Sequence, residues 1–104
     1  MTGEREARES AYAALTDETR VRILLTLADQ YDEAWSSGWP TFSELRGRVG
    51  VEDTSRFSYH LSELQDAFIQ KEDGRYRPRI AALEIVAAIR AGSYKTQNDD
   101  KQYE

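Results

Sequence analysis

Apolar residues recur along the chain in four stripes of helical period, interrupted once by a short alternating stretch. In the first stripe Val21, Leu24, Leu25 and Ala28 lie at i, i+3, i+4 and i+7, and Ile23 and Leu27 widen the face. A face that wide predicts the central helix of a small bundle, capped at Thr16 or Asp17, ending near Asp29 and buried on two sides. Phe42, Leu45 and Val49 make a second, shorter stripe. Thr41 and Glu44 have capping-box spacing at its start, and Gly50 stops it. Asp53 then caps a third helix, predicted over residues 53–67, along which Phe57, Leu61, Leu64 and Phe68 recur every three or four residues. The fourth stripe, with Ile80, Leu83, Ile85, Val86 and Ile89, predicts a last helix over 80–91 stopped by Gly92. An Ala-rich helix over 6–15, carrying Ala7, Ala11, Tyr12 and Leu15, precedes them all.

The alternating stretch is 69–78. Asp73-Gly74 is a two-residue hairpin signal, and Pro78 ends the returning strand. Pairing across that turn sets Glu72 opposite Arg75, Lys71 opposite Tyr76 and Gln70 opposite Arg77. Arg75 and Arg77 then share one face, with Tyr76 and Ile69 on the other. Between the first two stripes, Ser36, Ser37, Gly38 and Pro40 break any continuous helix. Trp35 and Trp39 in this connection are expected to lid the core, and residues 39–42 to form a short strand.

A short helix, a tight turn and a second amphipathic helix make a helix-turn-helix, and the hairpin after it makes a winged helix-turn-helix, mainly α with a small β-hairpin. The expected organisation is a single domain over residues 1–94, with N- and C-terminal dimerisation helices. The tail 95–104, almost devoid of apolar residues, is expected to be disordered. In this arrangement the second helix suits the DNA major groove. Its polar face carries Thr54, Ser55, Arg56, Ser58, Tyr59 and Ser62, small or hydrogen-bonding side chains, among which Arg56 is suited to guanine. Arg75 and Arg77 suit the flanking groove or its phosphates. Arg46 and Arg48 either touch phosphate or pair with Glu44 and Glu52. Arg20 and Arg22 read as a solvated or structural charge cluster with Asp17 and Glu18, and His60 as a flank residue against a neighbouring helix or phosphate.

Composition narrows the chemistry. The 104 residues include no cysteine and one histidine, which excludes a disulfide framework, Cys-ligated zinc, thiol chemistry and a multi-His metal site. No cofactor is expected, and no nucleophile–base pair, phosphate loop or metal cluster suggests an enzyme. With no apolar run near the ~20 residues of a membrane span and no signal-peptide core, a soluble, cytoplasmic protein is expected. The net charge of −5 argues against a basic nucleic-acid footprint, yet the deficit is local. Residues 1–41 hold 4 basic and 8 acidic groups, whereas 42–79 hold 7 of each. Eleven of the 14 cations are Arg, and a Lys-poor, acid-rich chain fits a salt-loaded cytoplasm. There counterion release contributes little, and affinity would rest on hydroxyl, Arg and shape contacts.

Several runs resemble ArsR-type winged-helix regulators. Leu15-Thr16-Asp17-Glu18-Thr19-Arg20-Val21-Arg22-Ile23-Leu24 is similar to that family's opening helix, and Phe57-Ser58-Tyr59-His60-Leu61-Ser62-Glu63-Leu64 to its recognition helix. Ala67-Phe68-Ile69 with Asp73-Gly74-Arg75-Tyr76 resembles its helix end and wing, and Phe42-Ser43-Glu44-Leu45-Arg46 the variant common in halophilic archaea. The resemblance covers about residues 12–92. It implies a transcriptional regulator that binds double-stranded DNA, with Ser55, Arg56, Ser58, Tyr59 and Ser62 facing it, and Ser43 joins them as a contact candidate. The metal sensing of the family's founding members does not carry over to a chain without cysteine. Apolar residues beyond one packing face on the last helix, with the first helix beside them, also suggest a homodimer seam through Tyr12, Leu15, Leu83, Val86 and Ile89, as the resemblance implies. The alternative is a winged-helix module for protein–protein interaction that does not bind DNA.

Overall fold

The computed structural model describes residues 15–31 and 38–92. The expected helix over 6–15 with Tyr12, the lid residue Trp35 and the tail 95–104 fall almost wholly outside them. Helix α1 (Glu18–Asp29) starts where Asp17, in extended backbone, accepts from the N–H groups of Thr19 and Arg20 at 2.8 and 3.2 Å. Its Ile23, Leu24 and Leu27 are buried, and the three other helices and the second hairpin strand pack against it. This is the central helix that the wide apolar stripe predicts.

Helix α2 (Phe42–Val49) begins in the expected capping box: Thr41 N–H donates to the Glu44 carboxylate at 2.9 Å, and Glu44 N–H to the Thr41 hydroxyl at 3.3 Å. The Thr41 N–H holds the Glu44 carboxyl below its ordinary pKa. Gly50 closes the helix at φ +88°, a left-handed position that costs a residue with a Cβ strain. Val51 and Glu52 follow, and Asp53 caps helix α3 (Thr54–Leu64) by accepting from Arg56 N–H at 3.1 Å. The connection is the short turn of a helix-turn-helix.

Helix α3 ends three residues before the expected boundary. Gln65 turns extended and bridges Ile69, while Asp66 takes φ +76° and donates its N–H to the Ile69 carbonyl at 3.1 Å. Phe68 is still buried, because its N–H reaches back to the Leu64 carbonyl at 2.9 Å. The apolar spacing thus runs on through a compact turn that starts the hairpin.

Strands β1 (Ile69–Glu72) and β2 (Arg75–Pro78) pair antiparallel in the expected register, Gln70 with Arg77, Lys71 with Tyr76 and Glu72 with Arg75. Asp73 and Gly74 both have positive φ, 54° and 75°, as a tight hairpin turn of this hand requires. Ile69, Tyr76 and Pro78 face inward; Arg75 and Arg77 face solvent. The strand expected over 39–42 reduces to one bridge, Thr41 with Arg75, flanked by a bond from Tyr76 N–H to the Pro40 carbonyl. Phe42 already belongs to α2, whose capping box takes over the backbone at Thr41. Helix α4 (Ile80–Ala91) closes the core through Ala82 and Val86 and ends at Gly92. The molecule is a mainly helical fold with a two-stranded wing, a winged helix-turn-helix arrangement.

Candidate nucleic-acid interface

One side of α3 builds the core, with Phe57, Leu61 and Leu64 buried, so 100° of rotation per residue sends the rest outward. Thr54, Ser55, Arg56, Ser58, Tyr59 and Ser62 are all exposed, Tyr59 by 56%. Ser62 is partly committed, its hydroxyl donating to the Tyr59 carbonyl at 2.8 Å. The Arg56 guanidinium has no hydrogen bond or ion pair among the described residues. Ser43 is exposed in the first turn of α2.

The seat under this helix is fixed by arginines that bind the protein itself. Arg46 Nη1 donates to the carbonyls of Val51 and Glu52, each at 3.1 Å, and so ties the turn between α2 and α3. With the buried Gln30 amide turned oxygen-first, Arg48 Nε donates to it at 3.1 Å. Neither forms the ion pair with Glu44 or Glu52 that was one of the two expectations.

His60 meets a neighbouring helix, as expected, and of the two readings of Arg20 the structure gives the structural cluster, since Arg20 is 7% exposed and His60 4%. Arg20 Nε donates to His60 Nδ1 at 3.0 Å, and its guanidinium carbon lies 5.3 Å from the centre of the Tyr59 ring. Asp17 stands 4.0 Å from His60 Nδ1. Burial tends to raise the Asp17 pKa, but the N–H groups of Arg20 and Thr19, with the cationic Arg20 side chain nearby, outweigh it and leave it lowered. The start of α1 is thereby locked to the middle of α3, directly beneath an exposed aromatic ring.

The wing differs from expectation in one respect. Arg75 and Arg77 share the solvent face, but Arg75 donates to the Trp39 carbonyl and lies against Gly38, pinning the wing to the segment before α2. Arg77 meets Glu72 at 3.5 Å across the hairpin, a pair exposed enough to exchange partners. Trp39 packs half-buried against the core, its ring 5.7 Å from that of Tyr31, as a lid would. The two rings flank a cleft of about 430 Å³ at the wing root.

The expected seam residues divide. Val86 is 2% exposed within the chain, where it holds α4 to the core and offers no surface to a second copy. Leu15 packs partly against the same core, and Leu83 and Ile89 are half-buried. Ile80, 73% exposed, is the large apolar residue that α4 presents outward.

A helix-turn-helix with a pinned wing and a hydrogen-bonding outer helix defines the structural class. Residues 8–89 match the family model described as a domain of unknown function, DUF7347, and the chain belongs to that family. No curated protein and no solved structure matches it. Among the described residues, no helix is long and apolar enough to cross a membrane.

Proposed function

We propose that this chain is a sequence-specific regulator of transcription that binds double-stranded DNA, with α3 in the major groove and the wing on the flanking groove or phosphates, as its resemblance to ArsR-type regulators implies. The observation that carries the reading is the outer face of α3. Five exposed hydrogen-bonding side chains besides Tyr59 stand on it, led by an Arg56 free of partners among the described residues, on a helix held rigidly from below. Titration of mixed-sequence duplex at several salt concentrations tests it. A linear fall of log affinity with log salt is expected, its slope reporting phosphate contacts. Arg56→Ala is expected to cost about 1–3 kcal/mol and relax preference at one base position, while Arg77→Ala weakens all sequences alike. Absence of binding at every salt concentration rejects DNA recognition and leaves the protein-interaction module, which the balanced charge of residues 42–79 favours.

The regulator is proposed to act as a homodimer through the outer face of α4. Two recognition helices would then sit ~34 Å apart and read a pseudopalindrome. Because Ile80 contributes little to the core of one chain, Ile80→Glu is expected to leave the fold intact and give monomers in sedimentation equilibrium. An unchanged mass would refute the seam.

A further inference from the structure

Arg20 and Arg22 are two residues apart on α1, and about 200° of helical rotation sends them to opposite sides. Arg20 goes inward to His60; Arg22 is exposed and makes no hydrogen bond or ion pair among the described residues. Arg22 lines a notch of about 360 Å³ between α1 and the turn that leads into α3, and Arg56 lines it too. Thr19 contributes from α1, Gly50 and Val51 from the turn. Two acidic residues, Glu52 and Asp53, also border the notch, so its formal charge is balanced, but neither is paired with these arginines. The Asp53 carboxylate accepts from the Arg56 main chain, and no ion pair joins Asp53 or Glu52 to either guanidinium.

A helix about 10–12 Å across fills a major groove about 12 Å wide, so backbone phosphates line both of its flanks. A guanidinium beside the first turn of such a helix faces that rail, and its planar fork matches phosphate oxygens. We infer that Arg22 binds a backbone phosphate of the DNA, alongside an Arg56 that is left to read a base. This inference rests on the assignment of α3 to the major groove. It adds a positioning contact from α1, a helix outside the helix-turn-helix pair, and divides the labour of two arginines that share one notch.

The test uses the full chain and a duplex selected from a random 30-base-pair pool. Arg22→Ala is expected to weaken binding on the order of tenfold for every sequence and to lower the salt slope by about one, with base preference unchanged. Arg22→Lys, which keeps the charge and loses the fork, should retain the slope. Scanning single methylphosphonates along the duplex should reveal one position that weakens wild type and has no effect on Arg22→Ala. Circular dichroism of each variant checks that the fold is retained. If wild type binds duplex while Arg22→Ala keeps its affinity and slope, Arg22 is not a phosphate contact and the reading of α3 stands. If Arg22→Ala changes base preference instead, the division of labour is wrong. If wild type binds no duplex, both fall together.

Discussion

Replacing Phe57 with alanine is expected to destabilise the domain by about 3–5 kcal/mol, the range for emptying a buried aromatic site. Phe57 is 0% exposed, and its ring meets the edge of Phe42 at 5.2 Å between centroids with planes 75° apart. That T-shaped contact joins the first residue of α2 to the inner face of α3, so it fixes the angle between the two halves of the helix-turn-helix. Domains of this size commonly hold only about 5–15 kcal/mol in total. Each kcal/mol moves the melting temperature of such a domain by roughly 4–8 °C, so a fall of well over 10 °C is expected. Phe57→Leu, which keeps most of the volume, should lose much less. Urea and thermal denaturation decide the matter; a loss below about 1 kcal/mol for Phe57→Ala would mean that α3 is seated by something else.

The Arg20–His60 bond carries the second large effect. His60→Ala removes one acceptor from a guanidinium that is 7% exposed, and a cost of about 1–3 kcal/mol is expected. Removing both partners, in Arg20→Met with His60→Leu, should cost clearly less than the two single changes summed, because the bond between them is then lost once and not twice. Additive losses would show that the two side chains do not cooperate. Tyr59 gives a readout that burial alone would not move. With Arg20 gone from beneath its ring, the NMR resonances of the Tyr59 ring should shift even where the fold survives. Asp17 adds a pH dependence whose sign is set by its lowered pKa. Its contribution is complete above the unfolded value near 3.8 and is lost as pH falls through the folded value. Asp17→Asn, which keeps a capping oxygen without the charge, should flatten that acidic limb.

These effects separate what is local from what is not. The capping box of Thr41 and Glu44, the cap at Asp53, the stop at Gly50 and the register around Asp73-Gly74 depend on residues within a few positions of one another. Backbone geometry alone decides them, and they were legible without any fold. The outward face of α3 was legible for a related reason: once Phe57, Leu61 and Leu64 point inward, a period of 3.6 residues leaves its hydroxyls and Arg56 outside. The end of α3 was not, since the apolar spacing continues to Phe68 through a turn that only the pairing of Gln65 with Ile69 reveals.

By itself, then, the sequence determined a mainly helical domain with a wing, its register, and a helix whose solvent face is made of hydrogen-bonding groups. Tertiary structure alone decided which arginines remain available to a partner. Arg20 is spent on a histidine forty positions away, Arg46 on the turn, and Arg75 on the Trp39 carbonyl, while Arg22 and Arg56 stay open in one notch. Guanidinium groups look alike in a sequence because each carries the same charge and the same five donors. What distinguishes them is the acceptor that folding brings within about 3 Å, and no local pattern encodes a contact across that separation.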